Sequence, residues 1–195
     1  MRVLFAALMI YPLKLETALL ITGLFLIALH ALALWKARDV QEWLRAFPRS
    51  RTLGAVLLVI ATAWSWYLIK TIDLGEFSNW RERLLVLIPV AAVLTYLYVE
   101  EFLAVRALGM VTLLAAEPLL EAAFLRPEAS RLFLVTLVYV WIVFAMFWIG
   151  MPYTLRNQIA WVASSPKRWR AAAFAGLAYG ALLLVLPATY GKAAL

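Results

Sequence analysis

Long runs of residues without charged side chains constrain the fold of this chain more than any other feature. A helix needs about 20 mostly apolar residues to cross the hydrocarbon core of a bilayer. Runs that approach or reach this length cover residues 17–35, 52–70, 84–99, 132–152 and 171–190. A sixth run, 107–125, contains two glutamates, so the sequence leaves its crossing open. We therefore predict an all-α integral membrane protein. It would be a single polytopic transmembrane domain over residues 1–195, a bundle of five to six transmembrane helices with interfacial amphipathic helices.

The composition supports a membrane protein and excludes several kinds of site. Of the 195 residues, 66% are hydrophobic and 15% are charged, against roughly 45–50% and about 25% in soluble domains. A chain this short cannot hide so much apolar surface in one soluble core. The absence of cysteine excludes disulfides, thiolate metal sites and covalently attached haem. The net charge of +7 indicates basic loops near anionic lipid headgroups. We expect the bilayer and other membrane subunits as partners, and no nucleic acid.

Two loops, residues 36–51 and 156–170, are rich in basic residues and tryptophan. With six spans and the N-terminus outside, both loops fall on the inner side, as the positive-inside rule favours; with five spans they fall on opposite sides. The Ala- and Arg-rich composition suggests a bacterial inner (cytoplasmic) membrane. Because Trp and Arg suit the headgroup level, the loops are either flat interfacial helices or a docking surface for a partner or lipid headgroup. The residues expected there are Trp43, Arg45, Arg156, Trp161, Arg168, Trp169 and Arg170.

The stretch 100–125 places charges inside an apolar run. On a helix, Arg106, Glu117 and Glu121 share one face, although Arg106 and Glu117 lie roughly 16 Å apart along the axis, too far to pair directly. If the stretch crosses, Glu117 lies near mid-membrane, where an ionised carboxylate costs about 3 kcal/mol. The three residues would then form an intramembrane polar site for protons or cations. The alternatives are a surface helix with solvated acids, and structural hydrogen bonds to neighbouring helices.

The segment EEFLAVR, residues 100–106, resembles the first motif of the CPBP family of intramembrane proteases, in which paired glutamates precede an arginine. In that motif the arginine follows the second glutamate by four residues. Here Arg106 follows Glu101 by five, which turns it to another face of a helix. The family also requires two later histidine motifs, whereas the single histidine, His30, lies far upstream. The resemblance therefore implies no protease activity for this chain.

His30 and one repeat of small residues complete the candidate residues. His30 lies in the first run, where it is a ligand, a proton relay or a hydrogen-bonded structural group. One histidine per chain excludes a bis-histidine haem except across a dimer. No cofactor or metal site is predicted, although the aromatic content is compatible with a bound lipid or pigment. Ala172, Gly176 and Gly180 recur every four residues in the last run, a spacing that lets two helices approach closely.

These observations favour one function over two others. The first hypothesis is a non-catalytic integral membrane subunit that scaffolds or assembles a larger membrane complex, because no catalytic set of residues is evident. The alternative is a small transporter, or proton- or cation-coupled membrane protein, that uses the intramembrane carboxylates. An intramembrane enzyme ranks last, since one histidine and no clear nucleophile leave little chemistry.

Overall fold

The computed structural model describes residues 11, 13–99 and 101–188. Within these residues all regular secondary structure is helical, which confirms the predicted all-α class. Two short 3-10 helices, Phe47–Arg49 and Gly75–Trp80, join longer elements. The α-helices of this part of the chain are α1 Leu15–Trp35, α2 Ala37–Ala46, α3 Arg51–Thr71, α4 Arg81–Tyr98, α5 Leu103–Ala123, α6 Arg131–Gly150, α7 Tyr153–Ala163 and α8 Pro166–Val185.

Several of these helices are long and apolar enough to cross a membrane, which indicates a multi-pass integral membrane protein. Among the described residues there are five such segments: Leu15–Trp35, Arg51–Thr71, Leu103–Ala123, Arg131–Gly150 and Pro166–Ala188. Residues 107–123 of the run at 107–125, which the sequence leaves open, thus belong to a continuous helix, α5. The run at 84–99 lies in α4, which is not among the five because Arg81, Glu82 and Arg83 all fall within its 18 residues. The last two residues of the predicted span 171–190 lie outside the described residues.

Local chemistry explains where the helices start and stop. Ser50 caps α3, because its side-chain oxygen accepts a hydrogen bond from the backbone N–H of Leu53 at 3.2 Å. Pro166 occupies the first turn of α8, where its missing N–H costs nothing. Helix α5 is flanked by Phe102 and Leu125, both with positive φ, at 57° and 52°. The left-handed backbone at these positions turns the chain sharply at both ends of α5.

Contacts divide the described chain into two compact units. One unit contains residues 11–45, 116–140 and 156–188, and the other contains residues 46–115 and 141–155. The first holds α1, α8, nearly all of α2 and most of α7, with parts of α5 and α6. The second holds α3 and α4 with the remaining parts of α5 and α6.

In the first unit, α1 and α8 pack antiparallel at very short range. A Cβ atom on Gly180 would lie 2.9 Å from the backbone oxygen of Gly23, and one on Gly23 would lie 2.9 Å from the backbone oxygen of Gly180. Further along, the indole nitrogen of Trp169 donates to the backbone oxygen of Ala33 at 2.9 Å. The two helices are therefore antiparallel, since the earlier residue of α1 meets the later residue of α8.

In the second unit, α5 packs against α3 through small residues. A Cβ atom on Gly54 of α3 would lie 2.7 Å from the backbone nitrogen of Ala104, and Leu58, Leu103 and Ala107 form a buried cluster. Helix α5 as a whole has no exposed residue between 103 and 123, unlike the other long helices of the described chain. The carboxylate-bearing stretch therefore consists of buried and half-buried residues.

Candidate functional site

A cavity of about 660 Å³ lies in the first unit, between the C-terminal end of α1, helix α2, and the α7 and α8 region. This volume falls within the range typical of sites for small molecules. Its walls are mainly apolar, with Leu29 and Leu32 from α1 and Leu44 from α2. Two charged side chains, Lys36 and Asp39, also line it. Both are exposed, as are Leu29 and Leu32, so charged and apolar side chains lie side by side where the cavity opens.

Trp169 forms a wall of this cavity and is not available to a partner. Its side chain is only 7% exposed, and its indole N–H donates to the Ala33 carbonyl. That carbonyl belongs to the last turn of α1, where carbonyls lack partners within the helix. The predicted headgroup-level position of Trp169 stays a prediction, while its burial leaves little of the ring for contact with a partner. Its N–H is satisfied inside the unit, so the ring is buried between helices.

His30 is held in one orientation at the same cavity. Its Nδ1 atom donates to the backbone oxygen of Leu26 at 2.7 Å, and its Nε2 is the ring atom nearest to Gly176. The ring lies against Gly176, where a Cβ atom would overlap the imidazole. His30 is thus a hydrogen-bonded residue that also lines a cavity. Across the described residues, no group of three His, Cys, Asp or Glu side chains could hold a metal ion.

The small-residue repeat of α8 has three different neighbours. Gly180 meets Gly23, Gly176 meets His30, and Ala172 lines the cavity. The face of α8 that packs against α1 at Gly180 and Gly176 therefore continues to Ala172, which lines the cavity. In the second unit, Gly109 has a comparable role, since a Cβ atom there would lie 2.9 Å from the backbone oxygen of Ala145. The sequence did not predict this contact or that of Gly54, because a single glycine in an apolar run has no spacing pattern that indicates which helix packs against it.

Two basic and aromatic segments of the first unit come together. We call them the basic–aromatic segments: residues 37–45 of α2, and residues 156–170 of α7 and the start of α8. The Arg45 guanidinium, through Nη2, donates to the backbone oxygen of Ala163 at 3.1 Å. Trp43 and Trp161 are 53% and 61% exposed. The remaining predicted residues, Arg156, Arg168 and Arg170, are also exposed.

One pair within these segments is well defined. The Arg168 guanidinium lies 4.7 Å from the centre of the Trp161 ring, and its Nη1 donates to the Ser164 hydroxyl at 3.1 Å. Helices α2 and α7 have 10 and 11 residues, too few to cross a bilayer. Their length and exposed Trp and Arg side chains suit helices at the headgroup level.

The three charged residues predicted to share a site are divided between the units. Arg106 belongs to the second unit, where its Nη1 donates to the backbone oxygen of Ile149 at 3.0 Å. Glu117 and Glu121 belong to the first unit, where Glu121 accepts a hydrogen bond from the backbone N–H of Tyr11 at 3.1 Å. Each glutamate is half-buried.

Pro118 follows Glu117 inside α5 and removes one backbone donor. The two glutamates are neighbours at i and i+4, an unfavourable arrangement when both are ionised. This pair is the acidic part of the predicted polar site.

Comparison with known proteins adds no relative to this description. No protein-family model, curated protein or solved structure matches the chain.

Proposed function

We propose that the chain is an integral membrane protein with six spans, in a bacterial inner membrane, with its basic loops on the cytoplasmic side. Large apolar side chains along the long helices are exposed, including Leu24 at 59% and Val59 at 67%. Extensive exposed apolar surface marks contact with a membrane or with another protein. The length and composition of the five segments make lipid the simplest environment.

The antiparallel packing of α1 and α8 supports an even number of spans. If both helices cross, α8 must start on the side where α1 ends, so the chain crosses an even number of times between them. Helices α3, α5 and α6 are three candidates, and α4 would supply the fourth crossing. Helix α4 has 18 residues, about 27 Å at 1.5 Å each. Its Arg81 and Arg83 side chains would extend to the headgroups from its first turn.

The contact between the basic–aromatic segments supports the same arrangement. The hydrogen bond from Arg45 to the Ala163 carbonyl requires the chain after α1 and the chain before α8 to be on one side. Six spans satisfy this requirement, and they also gather the two most basic loops on the side that the positive-inside rule favours.

Within this membrane protein, we propose the role of a non-catalytic subunit that assembles with other membrane subunits through the basic–aromatic segments. The observation that carries this proposal is the joining of α2 to the end of α7 by Arg45, which unites exposed Trp43 and Trp161 in one unit. Exposed Trp and Arg are the residue types that contribute most to protein interfaces.

Exchange of the exposed arginines tests the subunit role. In digitonin extracts of the native membrane, the wild-type chain is expected to migrate with a second polypeptide in constant ratio. The double variant Arg168→Gln, Arg170→Gln is expected to lower the associated fraction about tenfold, equivalent to about 1.4 kcal/mol. Native electrophoresis and quantitative mass spectrometry measure this fraction.

Arg83→Gln is the matched control for this experiment. Arg83 lies 4.9 Å from the centre of the Trp80 ring, a pair like that of Arg168 and Trp161, but it lies outside the basic–aromatic segments. The control is expected to associate like the wild type. A chain that is monomeric in the extract, or an equal loss in both variants, would contradict the subunit role.

A second candidate function, proton or cation transfer, is favoured by the surroundings of α5. No residue of this helix is in the exposed class between 103 and 123, and Glu117 itself is half-buried. Pro118 removes a backbone donor one residue later, and carbonyls freed in this way can contribute to a polar site in a membrane.

Replacement of Glu117 by glutamine tests this second candidate. In liposomes loaded with a pH-sensitive dye, the wild-type chain is expected to conduct protons or cations above the rate of empty liposomes. Glu117→Gln is expected to reduce that excess at least about tenfold, because a side-chain amide cannot ionise and so cannot release and rebind a proton as a carboxyl group does. Glu76→Gln, in an exposed loop, is expected to conduct like the wild type. Absence of flux through the wild-type chain would exclude this function.

A further inference from the structure

We propose that the cavity between α1, α2 and α8 binds one phospholipid whose headgroup carries a phosphate and a primary ammonium, as in phosphatidylethanolamine. This inference rests on the proposed membrane location, and it adds a ligand that neither the subunit role nor the transport role requires. Leu29, Lys36, Asp39 and Ala172 are among the residues that line this cavity.

The position of the cavity along the chain matches the depth of a lipid headgroup. It lies at the C-terminal end of α1, where a spanning helix passes into the amphipathic helix α2. Trp43 contributes to its lining, and tryptophan is enriched at the level where headgroups meet hydrocarbon. The cavity therefore opens where a phospholipid changes from polar to apolar.

The division of chemistry inside the cavity also matches a phospholipid. Leu29, Leu32 and Leu44 provide an apolar wall, suited to the upper part of an acyl chain. The volume of about 660 Å³ is too large for one or two water molecules, each of which takes about 30 Å³. It accommodates a headgroup with the first part of one chain.

The two charges at the opening select the headgroup. Lys36 and Asp39 are three residues apart, carry opposite charges and both line the cavity. A lysine ammonium suits a phosphate, and a carboxylate accepts hydrogen bonds from a primary ammonium. An anionic glycerol headgroup offers Asp39 no cation, and a choline headgroup carries a cation without an N–H to donate. The ethanolamine headgroup satisfies both side chains.

Lipid retention by the purified full-length chain tests the proposal. The chain is delipidated in mild detergent and mixed with equal amounts of phosphatidylethanolamine, phosphatidylcholine and phosphatidylglycerol of identical acyl chains. Native mass spectrometry measures the fraction of protein that retains each lipid. Phosphatidylethanolamine is expected to be retained about tenfold more than either competitor, the effect of one charge-assisted hydrogen bond.

Two substitutions assign the selectivity to the opening of the cavity. Asp39→Asn is expected to remove the preference for phosphatidylethanolamine over phosphatidylglycerol, because the anionic acceptor is lost. Lys36→Gln is expected to lower retention of all three lipids, because each carries a phosphate. Asp73→Asn and Lys70→Gln are matched controls with the same spacing. Lys36 and Lys70 lie 5.7 and 5.3 Å from the centres of tryptophan rings, yet Lys70 and Asp73 do not line this cavity.

A third substitution tests the apolar interior. Ala172→Phe is expected to fill the cavity and abolish selective retention, whereas Ala175→Phe, on the same helix but not in the lining, is expected to retain lipid like the wild type. Gel filtration and thermal unfolding establish that each variant is folded.

Equal retention of the three lipids by the wild type, or a preference that survives Asp39→Asn and Ala172→Phe, would overturn the proposal. The assay uses the isolated chain, so it is independent of subunit association. Labelling of cysteines from the two faces of the membrane, described below, tests the membrane location separately.

Discussion

Alanine at position 180 is expected to lower the stability of the protein, whereas alanine at position 150 is expected to leave it unchanged or raise it slightly. The added Cβ at Gly180 would lie 2.9 Å from the backbone oxygen of Gly23 and 2.9 Å from Cγ1 of Ile27. A backbone oxygen cannot turn aside as a side chain does, so α1 and α8 must separate. Overpacking of this kind costs about 1–3 kcal/mol.

Gly150→Ala is the control that removes the effect of helix propensity. Alanine is favoured over glycine in helices by up to about 1 kcal/mol, and a Cβ at Gly150 meets no atom within 4 Å. The two substitutions are chemically identical, so opposite signs would isolate the packing of α1 against α8. Thermal unfolding in detergent, monitored by tryptophan fluorescence, measures both. Equal or greater stability of Gly180→Ala would contradict the close contact.

Single cysteines are expected to label alternately from the two faces of the membrane. The chain has no cysteine of its own, so each introduced thiol is the only target. With six spans, cysteines at Ser78 and Ala129 react with an impermeant maleimide added outside. Cysteines at Glu101 and Ala160 react only when the reagent reaches the inner face. All four positions are exposed, so the expected contrast is nearly all-or-none.

Ala145→Cys provides the buried control, because Ala145 is 0% exposed and its thiol is expected to react from neither face. Labelling at 78 and 101 from the same face would show that α4 does not cross. The six-span proposal would then fail, since the antiparallel α1 and α8 need an even number of crossings between them. Labelling at 101 and 129 from the same face would instead exclude α5 and remove the basis for an intramembrane Glu117.

The candidate site was only partly predictable from sequence. The spacing of Gly176 and Gly180 predicts a close helix contact, and α1 supplies it through His30 and Gly23. The chemistry of tryptophan predicts a headgroup position for Trp169, but the ring is buried because the Ala33 carbonyl at the end of α1 accepts its N–H. The sequence did not predict a binding role for Lys36 and Asp39, because that role depends on the cavity that they line.

Some features of the carboxylate-bearing stretch could also be predicted from the sequence. Residues 107–125 are rich in Ala, Leu and Glu, which are strong helix formers, so a helix there follows from local preference despite Pro118. A shared face for Arg106 and Glu117 follows from helical periodicity. Their partners do not, because the Ile149 carbonyl that binds Arg106 lies 43 residues away in the chain.

The sequence by itself determined the all-α class, the approximate position of each helix and the presence of several segments long enough to cross a membrane. These properties depend on local composition and on periodicity, which each short stretch carries independently. Only the tertiary structure decided that α1 and α8 pack antiparallel, that Arg45 joins the basic–aromatic segments, and that a cavity opens beside Lys36 and Asp39. These features depend on which distant helices meet, and that is set by the fit of many small contacts that no single stretch contains.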